Sequence, residues 1–109
     1  GRMLALIRCT VPAAQADEFL AQAREALAVL AAQPGYLGGR IGRSIDEPNL
    51  WVLASEWEGA GFYRRALSAA RMAMYPLMAF MINEPGVFEG VYELPSARGP
   101  EAEGAVPKH

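Results

Sequence analysis

Two tryptophans and four tyrosines carry most of the polar-aromatic chemistry in this 109-residue chain. Histidine occurs once, as His109, and cysteine once, as Cys9. An indole N–H or a phenol can hold a substrate hydroxyl or a developing enolate in a site that excludes water. Trp57, Tyr63 and Tyr75 are the catalytic candidates. Trp57 closes an apolar run, with its N–H aimed at a substrate oxygen. Tyr63 lies early in a helical stretch, and Tyr75 precedes Pro76, where that stretch must break and can open a pocket. Each has a purely structural reading beside this one: packing for the indole, and an amphipathic helix position with a wet hydroxyl for each phenol.

The binding candidates follow the same logic. Met72, Met74, Met78 and Met81 place four flexible thioethers within ten residues. They fill a core or line an adaptable pocket for a flat hydrophobic ligand, with Met74 and Met78 as the contacts. Trp51 shares a strand face with Trp57 and adds flat apolar area. Arg64 and Arg65 read as solvated charges, and Arg65 is the one offered to an anionic substrate group. Asn49 suits turn chemistry. Cys9, with no base near it in sequence, reads as a small buried hydrophobe.

Much is excluded. The chain shows no glycine-rich phosphate loop, no metal-ligand cluster and no Ser/His/Asp set, so nucleotide, metal and hydrolase chemistry have no footing and no cofactor is expected. A net charge of −2 argues against nucleic-acid and anionic-membrane partners. No apolar run reaches the roughly 18 residues that span a bilayer, and no signal-peptide pattern opens the chain. With a single cysteine, a reducing, cytoplasmic setting is the expectation.

The elements that must position these residues follow from periodicity. Residues 4–11 (LALIRCTV) form a short apolar run stopped by Pro12, a strand. Phe19, Ala23, Leu27 and Leu30 make one helical stripe within residues 15–33, stopped by Pro34-Gly35. Residues 36–45 read as a glycine-weakened strand with a bulge or a close backbone approach, and residues 50–57 (LWVLASEW) as a strong strand; a turn joins them. A second helical region, residues 62–82, carries Phe62, Ala66, Ala70, Met74 and Leu77 as its core stripe. Pro76 should split it into two pieces and sit in the first turn of the second. Residues 87–94 alternate as a last strand, and residues 95–109 have the composition of a polar C-terminal tail.

The order β-α-β-β-α-β is the ferredoxin-like α+β arrangement: a four-stranded antiparallel sheet with both helices on one face. It makes one domain of residues 3–94. Both faces of the strands at residues 4–11 and 50–57 are apolar, yet helices cover only one. The other face needs a partner, and a second copy is the simplest, so a homodimer is expected.

Three local features carry a family resemblance. They are Val11-Pro12 leading into a helix with Asp17-Glu18-Phe19, the Gln33-Pro34-Gly35-Tyr36 helix stop, and the strand from Leu50 to Glu56-Trp57. Together with the element order, they make the chain resemble the antibiotic biosynthesis monooxygenase family of the dimeric α+β barrel superfamily. The resemblance implies a dimeric α+β barrel. Many members carry a histidine early in the second helix, and the heme-degrading branch ligates iron through it. Here that stretch reads Gly61-Phe62-Tyr63-Arg64-Arg65, with no histidine, so heme chemistry is not expected. What the resemblance then implies is a cofactor-independent monooxygenase acting on a small hydrophobic, aromatic, polyketide-like substrate. The alternative is a non-catalytic dimeric module of the same fold, binding a small ligand or structural.

Overall fold

The apolar run Met3–Thr10 forms β1 and Leu50–Trp57 forms β3, and the two pair antiparallel along their whole length, Met3 opposite Trp57 and Thr10 opposite Leu50. β2, Tyr36–Arg43, flanks β3, and a short β4, Val87–Glu89, flanks β1. This computed structural model describes residues 1–99. The sheet order is β2-β3-β1-β4, all neighbours antiparallel, which is the ferredoxin-like α+β topology. α1, Ala16–Ala31, and α2, Ala60–Ala69, follow β1 and β3. A one-turn α3, Arg71–Met74, and a 3-10 helix, Tyr75–Phe80, complete the helical layer.

Parity along the strands decides what the layer covers. On β3, Trp51, Leu53, Ser55 and Trp57 are buried, while Leu50, Val52 and Ala54 are only half-buried and Glu56 is exposed. The first set packs under the helices with Met3, Ala5, Cys9, Phe19, Ala23, Ala26, Leu30, Ala66, Ala70, Met74 and Leu77. α1 carries Asp17 and Glu18 in its first turn, where carboxylates complement the helix dipole. Its stripe is rotated slightly from the expected one, so Ala26 is buried and Leu27 half-buried against β2. Gly35 ends this unit at φ +88°, and a Cβ there would run into the Phe62 ring, so only glycine fits both demands.

Two expectations need correction. The second helical region falls into three pieces: the backbone leaves helical geometry at Ala70, before the proline, and Pro76 sits in the first turn of a 3-10 helix. Without an N–H, Pro76 cannot bond the carbonyl four residues back, and the tighter winding absorbs the loss. The last strand stops at Glu89 rather than Leu94. Glu89 pairs with Met3 and the Gly90 N–H donates to the Arg2 carbonyl, after which β1 offers nothing more to pair with. The anticipated polar tail lies outside the described residues from 100 onward. No helix among the described residues is long and apolar enough to cross a membrane.

Cys9 is fully buried opposite Trp51. Burial pushes its thiol up from 9.0 to about 11. The unfolded thiol ionises first as pH rises, so this contribution to stability is whole below pH 9 and lost towards pH 11. Denaturant unfolding should show a fall of about 2 kcal/mol across that window. Cys9→Ala should flatten that portion, and an unchanged slope would disprove the assignment.

Candidate active site

A row of small residues crosses the helix-facing side of the sheet, Gly39 on β2, Ser55 on β3 and Ala5 on β1, each paired with the next, and Val87 on β4 ends it. The shallow trough above it is filled by aromatic rings. Trp57 lies centrally, wholly buried, with Tyr36 edge-on at 5.3 Å and Tyr63 tilted at 54° and 5.5 Å. A Cβ on Gly39 would stand 2.5 Å from the Tyr36 hydroxyl, which explains the glycine in mid-strand. The Trp57 indole N–H donates to Ser55 Oγ at 2.8 Å. The indole therefore serves as a wall, and its N–H is not free for a substrate oxygen as anticipated.

Tyr63 reaches from this cluster to an opening at the edge of β1. There the chain leaving the 3-10 helix stays close to β1 at two points: the Ile82 N–H donates to the Arg8 carbonyl at 2.8 Å, and the Leu6 N–H to the Gly86 carbonyl at 2.7 Å. Residues 83–85 span the gap between these two contacts, against the single residue Ile7 on β1. The notch so formed has a volume of about 160 Å³ and is lined by Ile7, Arg8, Tyr63, Met81, Ile82 and Glu84, among others. Burial raises the phenol pKa of Tyr63, so it stays protonated well past neutrality. No described residue accepts a hydrogen bond from its hydroxyl. A protonated, unspent donor at the mouth of a notch can bond an oxygen that gains negative charge. Glu84 stands on the rim, 3.8 Å from Arg8. Carboxylate and guanidinium together supply a proton acceptor and an anion-binding group on the rim of the notch that Tyr63 lines.

Tyr75 is 72% exposed and does not line the notch, so the helix break faces solvent rather than the pocket expected there. Met78 is likewise exposed, Met72 more so, and Met74 is core. Only Met81 of the four reaches the notch. Arg65 stacks over Phe62 at 4.9 Å, on the surface. Trp51 packs on Phe19 at the far end of β3, under the Arg43 guanidinium, and is not brought together with Trp57. Arg8 and Glu84 escaped the sequence reading. A signal existed for Arg8, a lone charge inside an apolar strand; Glu84 looked like part of a Pro-Gly stop. No cluster of His, Cys, Asp or Glu suited to a metal ion occurs among the described residues.

Comparison with known proteins bears on this site. The family model described as antibiotic biosynthesis monooxygenase matches residues 2–72, well over half the chain. The chain belongs to the antibiotic biosynthesis monooxygenase family. Among solved structures it is similar to SnoaB, a cofactor-independent oxygenase from Streptomyces nogalater: 29% identity, a TM-score of 0.74, and coverage of 87% of this chain and 98% of that one. Rv0793 from Mycobacterium tuberculosis (11% identity, TM-score 0.71, 85% and 98% covered) and a conserved protein from Methanosarcina mazei Go1 (11%, 0.68, 79% and 87%) share the fold. No curated protein matches the chain. The family match supports a monooxygenase-type function, and it spans β1, β2, β3 and both Trp57 and Tyr63.

Proposed function

We propose that this protein is a cofactor-independent monooxygenase for a small, hydrophobic, phenolic aromatic substrate, working as a homodimer. The observation that carries the reading is Tyr63: a buried ring whose phenol has no acceptor among the described residues and lines a notch at the sheet edge. The likeness to SnoaB supports it.

The substrate itself must be the reductant. A hydroxyanthrone-like molecule loses a proton from an activated CH₂ to a base, here Glu84, and the carbanion spreads its charge onto a ring oxygen. Tyr63 donates to that oxygen. The anion passes electrons to dioxygen, a C–O bond forms, and the resulting peroxide loses water to leave a carbonyl. One oxygen atom enters the product and the other leaves as water, so CH₂ plus O₂ gives C=O plus H₂O. The 160 Å³ notch admits a ring edge and dioxygen. A whole polycycle needs the roughly 300–1,000 Å³ usual for ligand sites. Outward movement of residues 83–85 is the simplest source of that room.

The dimer reading rests on the uncovered side of the sheet. Leu4, Leu6, Val52, Ala54 and Phe88 share that face with Arg8, Arg40 and Glu56; Leu4 and Phe88 are about two-fifths exposed, and a second copy would bury the apolar row.

A second reading is a non-catalytic module of the same fold. One observation favours it: the sheet–helix interior is filled, with Trp57, Phe19 and Leu77 wholly buried. Oxygen uptake with a panel of hydroxyanthrones separates the two. The oxygenase should consume one O₂ per carbonyl formed, without added metal, flavin or nicotinamide. No uptake above the uncatalysed rate across the panel would favour the module.

A further inference from the structure

We propose that Ser55 is a positioning residue for this site: it fixes the plane of the Trp57 indole, and through it the placement of Tyr63 at the notch. The inference rests on the reading of Tyr63 as the donor to substrate, although its first consequence can be tested without turnover.

Ser55 is the one polar or charged residue that is buried among the described residues, at 6% exposure. Its cross-strand neighbours are Ala5 and Gly39, so an alanine would match the row in size. A hydroxyl in such surroundings is unfavourable unless something bonds it. What bonds it is Trp57, two residues along the same strand face, whose indole N–H donates to Ser55 Oγ at 2.8 Å.

A need merely to satisfy an indole does not account for this serine. Trp51 occupies the same face of the same strand, is also buried, and its enclosed Nε1 has no partner among the described residues. The fold thus accommodates one unpartnered indole and supplies an acceptor to the other. The difference between the two tryptophans lies in their neighbours. Trp51 leans on Phe19 at the far end of the strand, while Trp57 is the surface on which Tyr63 rests.

The geometry turns that bond into a constraint on the notch. Tyr36 meets the Trp57 ring edge-on from one side and Tyr63 meets it at a tilt from the other. The hydrogen bond to Ser55 sets the rotation of the indole about its Cβ–Cγ bond. Released from it, the ring can turn in its trough, and the Tyr63 ring must follow. Ser55 lies outside the lining of the notch and does not touch substrate, so its loss should act on kcat rather than on KM.

The test uses Trp51→Phe as the parent, so that Trp57 is the sole emitter, and compares Ser55→Ala with Ser55→Thr. In Ser55→Ala the Trp57 emission should move to shorter wavelength, as for an indole that has lost its hydrogen bond. With a hydroxyanthrone substrate, kcat should fall about tenfold while KM stays within about twofold, the signature of misplaced rather than missing machinery. Ser55→Thr keeps the oxygen and should restore both emission and kcat. Unchanged emission in Ser55→Ala overturns the proposal outright. Shifted emission with unchanged kcat removes the positioning role, as does a loss of kcat that threonine fails to rescue in a folded variant. If threonine does not fold, the alanine variant decides alone. Should Tyr63→Phe itself retain full turnover, the reading of the notch fails, and the emission result still judges Ser55 against Trp57.

Discussion

Tyr63→Phe should fold as the parent does and turn over a phenolic substrate about a hundredfold more slowly, the cost of removing one donor to a developing oxyanion. The phenylalanine ring keeps the 5.5 Å contact with Trp57, so the aromatic cluster stays intact. The hydroxyl has no protein acceptor among the described residues and is not one of the buried unpartnered polar atoms, so it reaches the open notch, and deleting it costs little stability. Melting temperature should therefore barely move, which separates a chemical loss from a folding loss. KM should change little, because the bond to a developing negative charge is stronger than the bond to the neutral ground state. The alkaline limb offers an internal check. Burial raises the Tyr63 pKa above 10.0, so Tyr63 should still donate at a pH where an exposed phenol begins to ionise. Steady-state oxygen uptake from pH 7 to 11 would read both effects. Turnover within about twofold of the parent would end the assignment of Tyr63 as donor.

The parts of this molecule legible in sequence are those governed by short-range pattern. β3 occupies residues 50–57 as read, because an apolar run broken only by Ser55 and Glu56, between a turn and a glycine pair, allows little else. The α1 stop was legible because its cause is local: the helix ends at Ala31, just before Pro34, and the left-handed Gly35 then turns the chain into β2. Trp57 and Tyr63 were also picked out, since an indole at a strand end and a phenol early in the next helix must approach one another when the helix folds back.

What escaped depended on groups far apart in sequence. The notch exists because residues 81–87 return along the edge of Leu6, Ile7 and Arg8, more than seventy residues upstream, and only the fold brings Glu84 to Arg8. Tyr75 misled for the opposite reason. A helix break exposes backbone groups, but whether it opens inward or to solvent depends on which neighbour covers it, and here none does. The indole N–H of Trp57 looked available because a one-dimensional pattern does not show that Ser55, two residues earlier on the same face, takes it.

Val52→Asp should leave a folded chain and abolish the dimer, while Leu53→Asp should leave no folded chain. The two residues are adjacent on β3 and chemically alike, and they differ in the face they occupy. Leu53 is 3% exposed beneath the helices, among Ile7 and Ile41 across the strands. A carboxylate there is an unpaired buried charge, whose cost of several kcal/mol is comparable with the whole stability of a small domain. Val52 lies on the open side, opposite Arg8 on β1 and Gly42 on β2, and is only half-buried in the single chain. An aspartate at 52 stays hydrated in the free protomer, with a guanidinium in the neighbouring strand. Only when a second sheet closes over it does it lose water. If breaking into that apolar surface costs about 3–5 kcal/mol, the dimer dissociation constant rises at least about a hundredfold. Sedimentation equilibrium at micromolar concentration should give about twice the 11.8 kDa chain mass for the parent and the single chain mass for Val52→Asp. Circular dichroism of the variant should retain its helix and strand content. A parent that sediments as a monomer would remove the dimer altogether. A Val52→Asp protein that remains a dimer would move the interface off this face, leaving the apolar row of Leu4, Leu6, Ala54 and Phe88 to be covered by something other than a second copy.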